Sequence, residues 1–230
     1  METHALFRLI NDAHSPWADA CFGLISGLGD GLVVALLCAL LMMVRLRLGM
    51  AAMAAFIASG LITQALKHLI AAPRPPAVLQ DVHVLGDVLY GHSFPSGHAT
   101  SDGVMAASMF LLWGLKSWRA WLGGLLFMLA ALGRVYGGVH FPLDVGVGFV
   151  LGCIVMIVCW RAVFCWVPVR WEHHEWAWKA STMLVALLAA VLGLGYRIQP
   201  ATAGALGLVL PVLALAFVAR TWKVKHERKG

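Results

Sequence analysis

The sequence predicts an all-α fold, a polytopic bundle of transmembrane helices, on three observations. Apolar residues make up 61% of the 230 and charged residues only 12%. The mean hydropathy is +0.83. Apolar runs of roughly 20 residues, the length a helix needs to cross a bilayer, recur along the chain. These runs place about six or seven spans at residues 20–44, 48–70, 98–115, 118–136, 141–165, 178–196 and 201–219, with a re-entrant pair as the alternative for the last two. The chain is thus expected to be a single membrane-embedded domain over 1–230, its chemistry concentrated in 67–144, with additional helices and a basic tail in 166–230.

Ahead of the first span, Glu2, His4, Arg8, Asp12 and His14 interrupt Leu6, Phe7, Leu9 and Ile10. That pattern lacks the unbroken apolar stretch of a secretory signal. It suits a short amphipathic helix lying at the membrane interface.

Lys and Arg placement sets the orientation, because short basic loops stay on the cytoplasmic side. Twelve of the 17 basic residues fall on one side: Arg45, Arg47, Lys116, Arg119, Arg161, Arg170, Lys179, Arg220, Lys223, Lys225, Arg228 and Lys229. The other side holds Arg8, Lys67, Arg74, Arg134 and Arg197. The N-terminus is therefore expected outside and the basic tail inside, as in a protein of a bacterial cytoplasmic membrane. The net charge of +6 follows from this topology and from attraction of the tail to anionic lipid, with no nucleic-acid partner required.

Cys21, Cys38, Cys153, Cys159 and Cys165 lie in or beside apolar runs without CxxC spacing and read as small membrane-embedded hydrophobes. Trp160, Trp166, Trp171, Trp176 and Trp178 surround one inter-span segment, as an interfacial aromatic belt does. Glu172, His173, His174 and Glu175 in that segment do not make a metal site, since adjacent histidines do not share a helical face. Gly23/Gly27, Gly133/Gly137 and Gly148/Gly152 carry the spacing that permits close helix packing.

Against this background Lys67, Arg74, Ser96, His98, Arg134, His140 and Asp144 stand out, because polar groups at membrane boundaries are costly to desolvate and mark function. Lys67 ends one span and Arg74 follows the proline that stops it, so a point charge and a bidentate guanidinium converge on one anion. Ser96 and Gly97 precede an apolar helix whose N-terminal N–H groups favour an anion, glycine leaving room for its approach. His98 stands at the same mouth with a side chain suited to proton transfer. Asp102, four residues on, shares its helical face and either orients it or packs elsewhere as a structural polar group.

Two apolar spans later, His140 and Asp144 repeat the i, i+4 spacing, with Pro142 placed for a first helical turn. A carboxylate there can fix the imidazole tautomer and leave the other nitrogen as a nucleophile. Arg134 adds a third cation. Three cations, a helix N-terminus and two histidines on one membrane face make a device for holding and transferring a phosphoryl group.

Residues 67–75, 95–98 and 134–144 resemble the three signature motifs of the type 2 phosphatidic acid phosphatase family. The resemblance implies a metal-independent phosphatase with no cofactor, a helical core, a phosphohistidine intermediate and lipid phosphate substrates. By it His140 is the nucleophile, Asp144 its orienting partner and His98 the general acid. Lys67, Arg74, Ser96, Gly97 and Arg134 are the phosphate-binding set. One departure is that the third motif usually begins Ser-Arg, whereas Gly133 precedes Arg134 here. Many relatives specialised for undecaprenyl diphosphate have Asp where Gly97 stands, so Gly97 points to a broader or different lipid phosphate. Candidate substrates are undecaprenyl diphosphate, phosphatidylglycerol phosphate and the phosphates of lipid A; Asp81, His83, Asp87 and His92 in the intervening loop are either tuners of selectivity or pH response or ordinary solvated loop polarity.

Two other functions use the same residues. An anionic-lipid transporter or flippase would bind the headgroup without hydrolysing it, but the sequence has no internal repeat of the kind transporters carry. A vanadium haloperoxidase shares the residue framework, but those enzymes are soluble. Oligomeric state is not written in the sequence.

Overall fold

The computed structural model describes residues 2–227, so the basic residues Arg228 and Lys229 lie outside the described residues. Among the described residues the fold is all-helical. Ten α-helices follow in order there: α1 (Glu2–Asn11), α2 (Pro16–Ser26), α3 (Gly31–Val44), α4 (Leu46–Ile70), the single turn α5 (Pro75–Val78), α6 (Gly97–Trp113), α7 (Trp118–Tyr136), α8 (Pro142–Trp166), α9 (Glu175–Gly193) and α10 (Gly204–Glu227).

The expected spans at 48–70, 98–115, 118–136, 141–165 and 178–196 coincide with α4, α6, α7, α8 and α9 to within a few residues. The expected span at 20–44 is instead two helices, α2 and α3, bent by 60°. The break runs through the tight turn Gly27–Gly29 to Asp30, whose extended backbone ends that turn and whose side chain accepts from the Leu32 N–H at 2.9 Å to start α3. Among the described residues, α4, α8, α9 and α10 are long and apolar enough to cross a membrane, and the bent pair makes a fifth candidate. The shorter α6 carries Thr100, Ser101, Asp102 and Ser108 among its buried residues, and that polarity sets it apart from a simple apolar span.

Three apolar clusters hold the bundle. Val34, Leu48, Met105, Phe127 and Met156 join α3, α4, α6, α7 and α8. Val33, Leu36, Val185, Leu192 and Ala214 fasten α9 and α10 to α3. Phe7, Ala99, Ala131, Val135 and Val145 form the third, which brings α1 over the ends of α6, α7 and α8. Outward faces remain apolar, with Leu61, Ile154, Val158, Met183, Leu187, Leu208 and Val212 all exposed. A bilayer covers such a surface, and the helices satisfy their own backbone within it.

The tightest packing is α8 on α6, and it runs along Gly148 and Gly152. A Cβ at Gly152 would stand 2.0 Å from the Thr100 carbonyl oxygen, and one at Gly148 would stand 2.6 Å from that of Ser96. The expected glycine spacing is thus used inside the chain, to bring two backbones into contact.

Candidate active site

Three loops meet at one end of this bundle: the stretch from the end of α4 to α6, the N-terminus of α6, and the connection from α7 to α8. Ser96 is the N-cap of α6, its hydroxyl accepting from the Ala99 N–H at 3.4 Å. Pro142 occupies the first turn of α8, and the Asp144 carboxylate accepts from the Phe141 N–H at 2.9 Å, which caps that helix. The two helix starts are tied together by the Ser96 N–H, which donates to the Asp144 carbonyl at 3.0 Å. The Ser96 N–H is thus engaged with α8, while its hydroxyl caps α6. Gly97 is open, with nothing nearer to an ideal Cβ than Thr63 Cγ2 at 3.9 Å.

His140 is buried between these pieces. Its Nδ1 lies 3.2 Å from Ser93 Oγ and 3.6 Å from Asp144 Oδ2, and Ser93 Oγ lies 2.5 Å from the same carboxylate oxygen. The Ser93 hydroxyl has one proton and gives it to Asp144, so it accepts from His140, and the imidazole carries its proton on Nδ1. The other nitrogen, Nε2, accepts from Arg74 Nη1 at 3.2 Å through its lone pair. Burial, aided by Arg74, Arg134 and Lys67, pushes the His140 pKa from 6.5 down to about 3, against the opposing pull of Asp144. The ring is neutral at physiological pH.

The cations are held by backbone oxygens. Lys67 Nζ donates to the carbonyls of His92 at 2.8 Å and Ser93 at 3.1 Å. Arg74 donates to Gly91 at 2.9 Å, Val139 at 2.8 Å and His92 at 3.3 Å. Arg134 is buried in the last turn of α7, with Nη1 3.4 Å from Ser26 Oγ. His98 Nε2 and both Asp102 carboxylate oxygens are buried without a hydrogen-bond partner among the described residues. Asp102 therefore does not orient His98 through a direct hydrogen bond; it packs against Gly29, where a Cβ would stand 2.7 Å from its Oδ2.

The structure thus brings His140, Asp144, Arg74, Lys67 and Ser96 into one connected site, with His98 and Gly97 on the first turn of α6. Sequence reasoning missed Ser93, fully buried between nucleophile candidate and carboxylate, and Ser26, which reaches Arg134 from α2. The loop residues named as tuners of selectivity also make contacts that fasten the loop. His83 Nε2 pairs with Asp19 at 2.9 Å, Asp87 accepts from Gln199 at 2.6 Å, and the Asp81 carbonyl accepts from Arg8 at 3.0 Å.

Residues 48–168 match the PAP2 superfamily. The chain belongs to it. This PAP2 lipid phosphatase is 30% identical over 149 residues to the undecaprenyl-diphosphatase of Sulfolobus acidocaldarius, a match covering 64% of this chain and 71% of that protein. It resembles the crystal structure of Aquifex aeolicus LpxE with a TM-score of 0.62 and 32% identity, over 68% of this chain and 93% of the other. The crystal structure of the first transmembrane PAP2-type phosphatidylglycerolphosphate phosphatase from Bacillus subtilis superposes with a TM-score of 0.60 at 24% identity, over 73% of this chain and 86% of that one, and shares the fold. The three motifs read from the sequence all lie inside the matched segment, whereas Ser26 lies outside it.

Proposed function

We propose that this PAP2 phosphatase hydrolyses a lipid phosphate or diphosphate at the outer, periplasmic face of a bacterial cytoplasmic membrane, through a phosphohistidine and without a metal. The observation that carries the reading is the His140 imidazole, neutral, its Nδ1 proton anchored through Ser93 to Asp144 and its Nε2 facing a guanidinium.

In the first step the Nε2 lone pair of His140 forms the N–P bond. The bond from phosphorus to the leaving oxygen breaks with its electron pair, and His98, protonated once the anionic headgroup lies against it, gives that oxygen its proton. Lys67, Arg74, Arg134 and the first-turn N–H groups of α6 offset the charge on the remaining phosphoryl oxygens. In the second step water attacks phosphorus, His98 takes its proton, and the N–P electron pair returns to Nε2. Ser93 and Asp144 keep the ring oriented and stabilise the positive charge it carries while phosphorylated.

The outward placement is supported by the distribution of Lys and Arg, and the opposite membrane boundary by exposed Trp166 at the end of α8 and Trp176 in the first turn of α9. The substrate class is undecaprenyl diphosphate, phosphatidylglycerol phosphate or the phosphates of lipid A, each presenting its headgroup at the outer boundary.

Phosphate release by purified protein in detergent, screened over these lipids with His140→Ala as blank, tests the proposal. Turnover of at least one lipid is expected, unchanged by chelator and absent in the variant. A His140→Ala protein with near-normal turnover sinks the phosphohistidine, and activity that vanishes in chelator and returns with a divalent metal sinks the metal-free chemistry.

A further inference from the structure

Arg134 is a buried guanidinium whose orientation has to be fixed from behind the phosphate site. It sits in the last turn of α7 with Nε buried and without a partner among the described residues. Its electrostatic neighbours include Asp102 of α6 and Asp30 at the α2–α3 bend, which attract it, and Arg74, which repels it. None of these gives it a direction, because a charge at a distance does not choose among the five N–H donors of a planar fork. The directional contact is Nη1 to Ser26 Oγ at 3.4 Å, the long end for such a bond.

Ser26 reaches Arg134 because Gly133 has no side chain. An ideal Cβ at 133 would stand 3.0 Å from Ser26 Cβ, 3.3 Å from the Phe22 carbonyl oxygen and 3.5 Å from Ser26 Oγ. The volume that a residue 133 side chain would enter is therefore filled by the last residue of α2, itself almost fully buried. Position 133 is also where the sequence departs from the Ser-Arg start of the third motif. Ser26 thus brings a hydroxyl to the space beside position 133 and onto the Arg134 guanidinium.

We propose that Ser26 is a positioning residue of the phosphate site. In this reading its hydroxyl, delivered by α2 from outside the matched segment, takes the place of the one absent at 133 and orients Arg134 toward the phosphoryl group. This rests on Arg134 being a phosphate ligand. It makes the hydroxyl transferable from position 26 to position 133 with the site preserved, which a merely structural role for Ser26 does not.

The test compares wild type, Ser26→Ala and the double variant Ser26→Gly/Gly133→Ser. Each is measured for kcat and KM in phosphate release, for vanadate affinity by thermal shift in detergent, and for unliganded melting temperature. Ser26→Ala keeps the Cβ and removes only the hydroxyl, and should weaken vanadate and raise KM by roughly 2- to 10-fold, the worth of one hydrogen bond. The double variant should recover most of that loss. Wild-type vanadate affinity in Ser26→Ala overturns the proposal, and so does a double variant that melts like wild type yet binds vanadate as weakly as Ser26→Ala. If the double variant does not fold, the single one still decides. Vanadate affinity needs no turnover, so a wild type that released no phosphate would defeat the phosphatase reading and leave the Ser26 measurement standing.

Discussion

Arg74 Nη1 lies 3.2 Å from His140 Nε2, so the guanidinium donates to the atom proposed to attack phosphorus. The same group is anchored to three carbonyls, of Gly91, His92 and Val139. Such an arrangement keeps the lone pair pointed at the place where a phosphoryl oxygen would pair with Arg74, and a bound phosphate then replaces Nε2 as the acceptor. Lysine retains the charge but not the planar fork. Arg74→Lys is expected to fold and to lose about 10- to 100-fold in kcat/KM, the range for hydrogen bonds to charged groups. Phosphate-release kinetics on the detergent-solubilised protein measure this, and near-normal kcat/KM contradicts the anchoring role.

Ser93 is the relay between His140 and Asp144. Removing its hydroxyl leaves the Asp144 carboxylate with the Phe141 N–H but without its 2.5 Å partner, and leaves the imidazole 3.6 Å from the carboxylate. The group left without a partner is the His140 Nδ1–H, and an orphaned buried donor costs about 1–3 kcal/mol. Ser93→Ala is therefore expected to lower kcat by roughly 10- to 100-fold with a much smaller change in KM, since the loss falls on a ring that becomes charged only as reaction proceeds. A variant with raised KM and intact kcat would place Ser93 in binding instead.

The extent to which the sequence revealed this site depended on distance along the chain. His140 and Asp144 are four residues apart with a proline between, and Ser96, Gly97 and His98 are consecutive at a helix start, so local helix geometry was enough to group them. Ser93 is 47 residues from His140, and Ser26 is 108 residues from Arg134. A buried serine has no periodic or charge signature that links it to a remote partner. The same reasoning explains the fold. Long apolar runs revealed α4 and α7 to α9, whereas the break between α2 and α3 depends on Asp30 and a few glycines, too short an interruption to register in a 20-residue pattern.

His140 also makes stability depend on pH. Its ordinary pKa is 6.5, and burial with three nearby cations holds it near 3 in the folded chain. Between those values the unfolded chain binds a proton at His140 that the folded chain refuses. Stability therefore falls as pH falls through that window and is recovered above 6.5. Melting temperature in detergent is expected to drop on going from pH 7 to pH 5, and His140→Gln should reduce that drop because glutamine has no proton to take up. An identical drop in both proteins would show that other groups set the pH dependence.

Catalytic geometry depends on how closely α8 approaches α6, because Asp144 begins one helix, Ser96 and His98 begin the other, and their backbones are bonded at 3.0 Å. Gly152 controls that approach: a Cβ there would stand 2.0 Å from the Thr100 carbonyl oxygen and 2.9 Å from Val104 N, and backbone atoms cannot rotate away. Gly146 on the same helix has nothing within 4 Å of an ideal Cβ. Alanine is the better helix former by roughly 0.5–1 kcal/mol, so propensity alone would stabilise both substitutions. At Gly152 the forced separation outweighs that gain, since overpacking costs about 1–3 kcal/mol or more where backbone must move. Gly152→Ala is expected to lower the melting temperature and cut phosphate release, while Gly146→Ala melts at or above wild type with full activity. Equal melting temperatures for the two variants would mean that the α6–α8 contact is looser than the Gly152 geometry requires.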